Sequence, residues 1–216
     1  MTPRLRRAFP TPEAVRDHLL QEHKPFRRLL TTNWRRRRLS GEDPGWALWT
    51  RPEEDSRQQS ISHKLYVSVV LEQIRPAFHA VLPIITDSQA IGFKIGAELA
   101  YLTRPDKLVI YFDSREEMTR VGVFLQEQLA EFPAHGVPFT CQIDESGLLS
   151  WGMDPPDGGN TLRSWRLWLA QRLARAMIEA PPEDRVAAAL ERAESLGVDP
   201  VSWEPRDVVW GLDGPD

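Results

Sequence analysis

The stretch Lys64-Leu65-Tyr66-Val67-Ser68-Val69-Val70 alternates in character and is rich in β-branched and aromatic residues. This pattern predicts a β-strand. The next residues, 72–85, carry apolar side chains from Ile74 to Leu82 at helical spacing and predict an amphipathic helix. The folded part of the chain therefore combines strands and helices from this point onward.

The rest of the chain continues this alternation. Further strands are predicted at Ile91–Ile95, Lys107–Phe112 and Phe139–Ile143, and helices at 114–132, 161–180 and 182–196. Thr11 and Pro12 predict the start of a short helix at 12–23. The turn-rich segments 40–60, pinned by Trp46 and Trp49, and 147–159 are predicted to be connections. This order predicts an α+β fold, a single domain with a mostly antiparallel sheet flanked by helices, plus a basic helical N-terminal arm.

Positive charge is concentrated at the start of the 216-residue chain. Residues 1–40 contain eleven Lys or Arg against three acidic residues, a net charge of +8, whereas residues 41–216 carry −12. We therefore divide the chain into a basic helical arm and loop at 1–59, an α+β domain at 60–203 and a tail at 204–216. A basic arm on an acidic body suggests an anionic partner, and a solvated helix or a clamp on the acidic body explains it equally well.

Several function classes have no support in the sequence. No apolar run reaches the roughly 18 residues of a membrane span, and the first residues lack the apolar stretch of a signal peptide, so we expect a cytoplasmic protein with no membrane contact. The chain has no phosphate-binding loop, no dinucleotide fingerprint and no serine-hydrolase motif, and its five histidines lack metal-ligand spacing. We expect no metal, no cofactor and no nucleic-acid partner. The single cysteine, Cys141, is predicted to be buried.

Two lysines lie within predicted core strands, Lys64 and Lys94. If Lys94 faces a cleft, burial and a neighbouring cation would both lower its pKa from about 10.4 and allow it to act as a base. The competing interpretation is an edge-strand lysine that reaches water.

The motifs around these lysines resemble a known family. The strand Lys64–Val69, a helix ending at Phe78–Pro83, Phe93-Lys94-Ile95 and the run Arg104–Tyr111 resemble the OspF-type phosphothreonine lyases of bacterial type III effectors and the lyase domains of class III lanthipeptide synthetases. The later part, 161–170 with 197–200, is similar to the HopA-type effector family, which supplies the separate lyases of class V lanthipeptide and thioamitide pathways. Together the resemblance covers about residues 60–203.

The resemblance implies roles for the strand residues. Lys94 would be the base that removes the Cα proton of a phosphoserine or phosphothreonine, and Lys64 would lower its pKa and neutralise developing charge. Phosphothreonine lyases have a histidine as general acid two residues after the first lysine, whereas this chain has Tyr66. Tyr66 would then replace the acid or simply be a tyrosine of a half-buried strand, with His63 and His79 as alternative acids.

The resemblance also implies a phosphate site and a pocket. Arg104 and, from the later helix, Arg163 or Arg166 would hold the phosphate, and Tyr111 would line the pocket. The helix arginines lie on an amphipathic helix, so a solvated face is their alternative explanation.

The implied function is a phosphoserine/phosphothreonine lyase that makes dehydroalanine or dehydrobutyrine in a phosphorylated precursor peptide of ribosomal origin. Because the chain has no kinase motif, a separate peptide kinase is implied. Two alternatives remain open. One is a non-catalytic lyase-like module that binds the precursor peptide or the kinase, and the other is an effector acting on host proteins.

Overall fold

The computed structural model describes residues 24–37, 45–52, 63–155 and 164–206. Its helices are α1 (Lys24–Asn33), α2 (Ile74–Thr86), α3 (Leu99–Leu102), α4 (Arg115–Gln128), α5 (Trp165–Glu179) and α6 (Arg185–Ser195). Its strands are β1 (Arg35–Arg37), β2 (Trp46–Thr50), β3 (His63–Val67), β4 (Gly92–Gly96), β5 (Leu108–Phe112), β6 (Cys141–Gln142) and β7 (Leu149–Met153).

The seven strands form one sheet in the order β1-β2-β4-β5-β3-β7-β6, and neighbouring strands run antiparallel. The predicted α+β class with an antiparallel sheet in a single domain is thus confirmed. Within the described residues, each helix is too short or too polar to cross a lipid bilayer.

One face of the sheet forms the main core with α1, α2 and α4. Phe93 of β4 contacts Phe78 of α2 and Trp34, with ring centroids 5.7 and 5.0 Å apart. Leu65 and Ile110 lie on the same face and are fully buried. Each such side chain contributes about 1.5–3 kcal/mol to the free energy of unfolding, so this face holds the fold together.

The opposite face carries the polar residues of the central strands. Side chains alternate between faces along a strand, and paired residues share a face. The register pairs Lys64 with Tyr111, and it pairs Val109 with both Lys94 and Tyr66. These five residues therefore lie on one face, away from the main core.

Two segments predicted to be connections contain strands. Residues 46–50, within the predicted loop 40–60, form β2 and pair with β4, and residues 149–153, within the predicted connection 147–159, form β7 beside β3. The predictions failed because glycine and proline flank both short strands, and β7 is buried throughout. The predicted strand at 139–143 shrinks to Cys141–Gln142, since Phe139 has a φ of 62°, outside the extended region.

The N-terminal boundary at residue 60 does not separate an arm from the domain in the part that the structure describes. Phe26, Leu30 and Trp34 belong to the main core, and β1 extends the sheet next to β2. The predicted helix at 12–23 lies outside the described residues. Arg35 and Arg36 of β1 are exposed.

Candidate active site

Lys94 lies at the middle of β4, partly buried, and its Nζ is 4.5 Å from the centre of the Trp46 ring. Burial, followed by the charge of Lys64, lowers the pKa of Lys94 to about 8, against the raising effect of Asp106. This is the direction that burial and a neighbouring cation are expected to produce. With this pKa, about a tenth of Lys94 is a neutral amine at pH 7 and about half at pH 8, and the neutral amine is the form able to accept a proton.

Lys64 is buried on β3 and forms an ion pair with Asp154 at the end of β7. Its Nζ is 6.0 Å from the centre of the Tyr111 ring. Burial lowers the pKa of Lys64, and the charge and hydrogen bond of Asp154 act in the opposite direction. Asp154 therefore favours the ammonium form of Lys64, the form that lowers the pKa of Lys94.

Tyr66 is buried among Val109, Val137 and the partly buried Tyr111. Burial, followed by the charge of Asp106, raises the pKa of Tyr66 well above its usual value of 10. The phenol therefore stays protonated across the physiological range. It is suited to donating a hydrogen bond and is a weak proton donor.

The two described arginines of the predicted phosphate site meet on one carboxylate. Arg104 donates from Nε to Asp106 Oδ1 at 2.9 Å and from Nη2 to Oδ2 at 3.0 Å, and Arg166 Nη1 lies 2.9 Å from the same Oδ2. Burial would raise the pKa of Asp106, but the hydrogen bonds of Arg104 and the charge of Arg166 outweigh it and hold the pKa below its usual range. Arg163 lies outside the described residues.

Arg166 is positioned by the start of α5. Ser164 caps this helix by accepting a hydrogen bond from the Leu167 backbone N–H. The turn before β6 presents two successive carbonyls: Trp165 Nε1 donates to that of Phe139 at 2.9 Å, and Arg166 Nε donates to that of Pro138 at 3.0 Å. The first turn of α5 is therefore fixed to the site face of the sheet.

Gly152 explains why α5 approaches the sheet so closely at this point. Gly152 pairs with Lys64 and so faces the same side. A Cβ at this position would lie 2.8 Å from Cδ1 of Trp165. Only glycine leaves room for the Trp165 ring, which in turn holds Arg166 near Asp106.

Three residues at the site were missed by sequence reasoning. Asp106 lies within the run 104–111 but was not distinguished from its neighbours there, and Asp154 lies in a segment taken for a connection. Trp46, taken for part of a loop, lies under two cations: Lys94 Nζ at 4.5 Å and the Arg104 guanidinium at 5.4 Å from its ring centre. Only the three-dimensional arrangement of the strands and α5 brings these carboxylates to the cations.

The two histidines considered as alternative acids lie elsewhere. His63 is adjacent to Lys64 in β3 and so faces the other side of the sheet, where its ring is 6.4 Å from that of Trp151. The His79 ring packs against that of Phe26 in the helical layer, with ring centroids 4.1 Å apart. Among the described residues, no group of three or more His, Cys, Asp or Glu is arranged to hold a metal ion.

The site is a cationic cluster on the face of the sheet opposite the main core. Lys64, Lys94, Arg104 and Arg166 face the carboxylates of Asp106 and Asp154. These six side chains carry a net charge of +2 with both lysines protonated and +1 with one amine neutral. Such a cationic cluster is suited to binding a phosphate group beside a basic amine.

Solved structures of other proteins have a similar fold. No family model and no curated protein matches the chain. Among solved structures, the effector protein from Pseudomonas syringae pv. tomato strain DC3000 is 14% identical over 95% of this chain and 83% of that protein, with a TM-score of 0.57. A variant of the Salmonella plasmid virulence C protein is 14% identical over 74% of this chain and 92% of that one, with a TM-score of 0.50. The type III effector and phosphothreonine lyase OspF from Shigella flexneri is 12% identical over 65% and 88%, with a TM-score of 0.46.

The chain therefore shares its fold with a group of bacterial effector proteins. Within that group, the similarity to the Pseudomonas syringae effector extends over nearly the whole chain. The relationship in fold to the OspF-type lyases and the HopA-type effectors, expected from the sequence motifs, is confirmed.

Proposed function

We propose that this protein is a phosphothreonine and phosphoserine lyase, which eliminates phosphate from a phosphorylated peptide and leaves dehydrobutyrine or dehydroalanine. One observation carries the proposal. Lys94, whose pKa is lowered to about 8, lies on the same face of the sheet as Lys64, and its Nζ and the Arg104 guanidinium lie over the same Trp46 ring at 4.5 and 5.4 Å. A base beside a phosphate site is what an elimination of this kind requires.

In the proposed reaction, the neutral amine of Lys94 takes the Cα proton of the phosphorylated residue. The electron pair of the Cα–H bond becomes the Cα=Cβ double bond. The Cβ–O bond breaks, and its electron pair leaves with the phosphate. The Lys94 ammonium then returns its proton to water, so the enzyme is restored without a co-reactant.

The other cations stabilise charge that develops during this step. Arg104 and Arg166 bind the phosphate and favour its departure as an anion. The ammonium of Lys64 lies where it can stabilise the enolate-like oxygen of the substrate carbonyl. Tyr66 donates a hydrogen bond at the position where related lyases have their acid histidine, and Tyr111 lines the pocket beside Lys64.

The substrate and partners follow from the sequence resemblance. The HopA-type family supplies separate lyases for lanthipeptide and thioamitide pathways, so the proposed substrate is a phosphorylated precursor peptide. A separate kinase would phosphorylate it, and both steps would take place in the cytoplasm.

Tyr66 favours a second candidate function. If the reaction needs an acid that a phenol of raised pKa cannot provide, the chain is a lyase-like module that binds the peptide or its kinase without turnover. Such a module would retain the cationic cluster and therefore still bind phosphopeptides.

The test compares products and binding on the same peptides. Peptides with one phosphothreonine or phosphoserine are incubated with the protein without added metal and analysed by mass spectrometry. A lyase gives inorganic phosphate and a peptide with a dehydrated residue. Hydrolysis would instead give inorganic phosphate and a peptide with an unphosphorylated threonine or serine residue. Binding without turnover supports the second candidate, and neither binding nor turnover refutes both.

A further inference from the structure

We infer that Asp106 is a positioning residue that holds Arg104 and Arg166 together as a two-arginine clamp for the leaving phosphate. This inference rests on the proposed function. It assigns a role to a carboxylate that does not touch the reacting atoms and acts through the arginines.

The geometry of the carboxylate supports this role. Both oxygens of Asp106 are engaged: Oδ1 accepts from Arg104 Nε, and Oδ2 contacts both Arg104 Nη2 and Arg166 Nη1, at 2.9 to 3.0 Å. The Asp106 side chain is only 5% exposed, whereas that of Arg104 is 45% exposed and that of Arg166 18%. The carboxylate is therefore on the buried side of the arginines, and the guanidinium groups extend past it toward solvent.

The two arginines come from parts of the chain that are far apart. Arg104 precedes β5, and Arg166 is in the first turn of α5. Arg166 is also held by the hydrogen bond that its Nε donates to the Pro138 carbonyl. Two guanidinium groups repel one another, and a buried carboxylate between them offsets that repulsion and fixes their relative orientation. Each guanidinium has five N–H donors, and these contacts use two of them in each arginine.

Asp106 also acts on the base. The charged groups that influence Lys94 are Lys64, Arg104, Asp106 and Asp154, and Asp106 raises the pKa of Lys94 more than Asp154 does. Replacing this carboxylate with an amide should therefore lower the pKa of Lys94 further. A residue with only a structural role would not shift the pH profile in this direction.

The test uses the full chain with Asp106→Asn, Asp106→Glu and the control Asp184→Asn. Asp184 is exposed at the start of α6, and its side chain does not cap that helix. We expect Asp106→Asn to raise KM for a phosphothreonine peptide by at least about tenfold, the effect of losing a hydrogen bond to a charged group. The midpoint of the rise of kcat/KM with pH, near 8 in the wild type, should move to lower pH. Asp106→Glu should restore part of the KM, and Asp184→Asn should leave both quantities unchanged.

A second measurement separates this inference from the proposed function. The dissociation constant for inorganic phosphate is measured by calorimetry for the same variants. It is also measured for Arg166→Ala and for the double variant that carries Asp106→Asn and Arg166→Ala. If Asp106 acts through Arg166, the two substitutions weaken binding less together than the sum of their separate effects. If Asp106→Asn does not fold, the comparison uses Asp106→Glu, whose longer side chain displaces the arginines and keeps the charge.

The outcomes are distinct. A wild type without turnover, combined with weaker phosphate binding by the Asp106 variant, refutes the lyase and supports the clamp. Suppose that the wild type turns over and that folded Asp106→Asn has the same KM, pH profile and phosphate affinity as the wild type. This result overturns the clamp and leaves the lyase proposal intact. Fully additive effects of the Asp106 and Arg166 substitutions also overturn it.

Discussion

Lys94 on β4 and Lys64 on β3 lie on the same face of the sheet with β5 between them, and the charge of Lys64 lowers the pKa of Lys94. Asp154 forms an ion pair with Lys64. This carboxylate favours the ammonium form of Lys64. The arrangement supports the proposed roles of Lys64 as a cation and Lys94 as the base.

The pH dependence of elimination should report on Lys94. Because the protonated amine cannot accept a proton, kcat/KM should rise with pH through a midpoint near the pKa of about 8. The phosphate itself titrates near pH 6, so it is a dianion throughout this range. In Lys64→Met, which removes the neighbouring cation, the remaining activity should show its midpoint at higher pH. A rate independent of pH between about 7 and 9 would exclude Lys94 as the base.

Two arginines of α5 provide a matched pair for the phosphate site. Arg166 contacts Asp106, whereas Arg175 is 80% exposed and pairs with Glu179 on its own helix. We expect Arg166→Ala to raise KM for the phosphopeptide by about 10- to 100-fold, and Arg175→Ala to leave it unchanged. Steady-state kinetics on both variants checks this. Equal effects would mean that a general positive charge on the helix attracts the substrate.

The role of the Tyr66 hydroxyl can be tested with one substitution that removes it and one that replaces it with an imidazole. Removing its hydroxyl in Tyr66→Phe should lower kcat by about 10- to 100-fold with little change in KM, because the hydrogen bond acts mainly in the transition state. Tyr66→His, which restores the residue of the related lyases, should recover activity. Single-turnover rates measure the effect. A Tyr66→Phe variant as fast as the wild type would show that the hydroxyl takes no part.

Gly152 should be sensitive to the smallest possible enlargement. In Gly152→Ala the new methyl would lie 2.8 Å from Cδ1 of Trp165, so the ring must shift and the free energy of unfolding should fall by about 1–3 kcal/mol. KM should rise, because Arg166 follows Trp165. The control Gly122→Ala lies within α4, where the methyl would meet the end of the Ile143 side chain at 3.3 Å. It should be neutral or stabilising by up to about 1 kcal/mol. Urea unfolding compares the two, and equal destabilisation would refute this account of the close approach.

The sequence was sufficient to predict the elements with strong periodicity. The strand at Lys64, the amphipathic α2 and the apolar β5 formed close to where they were expected, because their own residues carry a strand or helix pattern. The strands β2 and β7 are as long as β3 and β5, at five residues each, and were missed because turn-forming residues flank them. Their formation depends on pairing with β4 and β3, which is a tertiary effect.

The candidate site was predictable in its cations and not in its carboxylates. Lysine in a short apolar strand is conspicuous, so Lys64 and Lys94 were found. An aspartate that follows Pro105 is typical of a turn, and nothing in the local pattern indicates that Asp106 contacts an arginine sixty residues later. Asp154 was hidden for the same reason, because its partnership with Lys64 follows from the neighbouring position of β7 and β3.

The most direct test of the central claim follows the products of a phosphothreonine peptide with the wild type and with Lys94→Arg, by mass spectrometry under single-turnover conditions. Arginine keeps the positive charge but does not give up its proton at these pH values. We predict dehydrated peptide from the wild type and a rate lower by about 100-fold or more for Lys94→Arg, with peptide binding retained. Full elimination activity in Lys94→Arg, or an intact phosphopeptide after incubation with the wild type, would contradict the account.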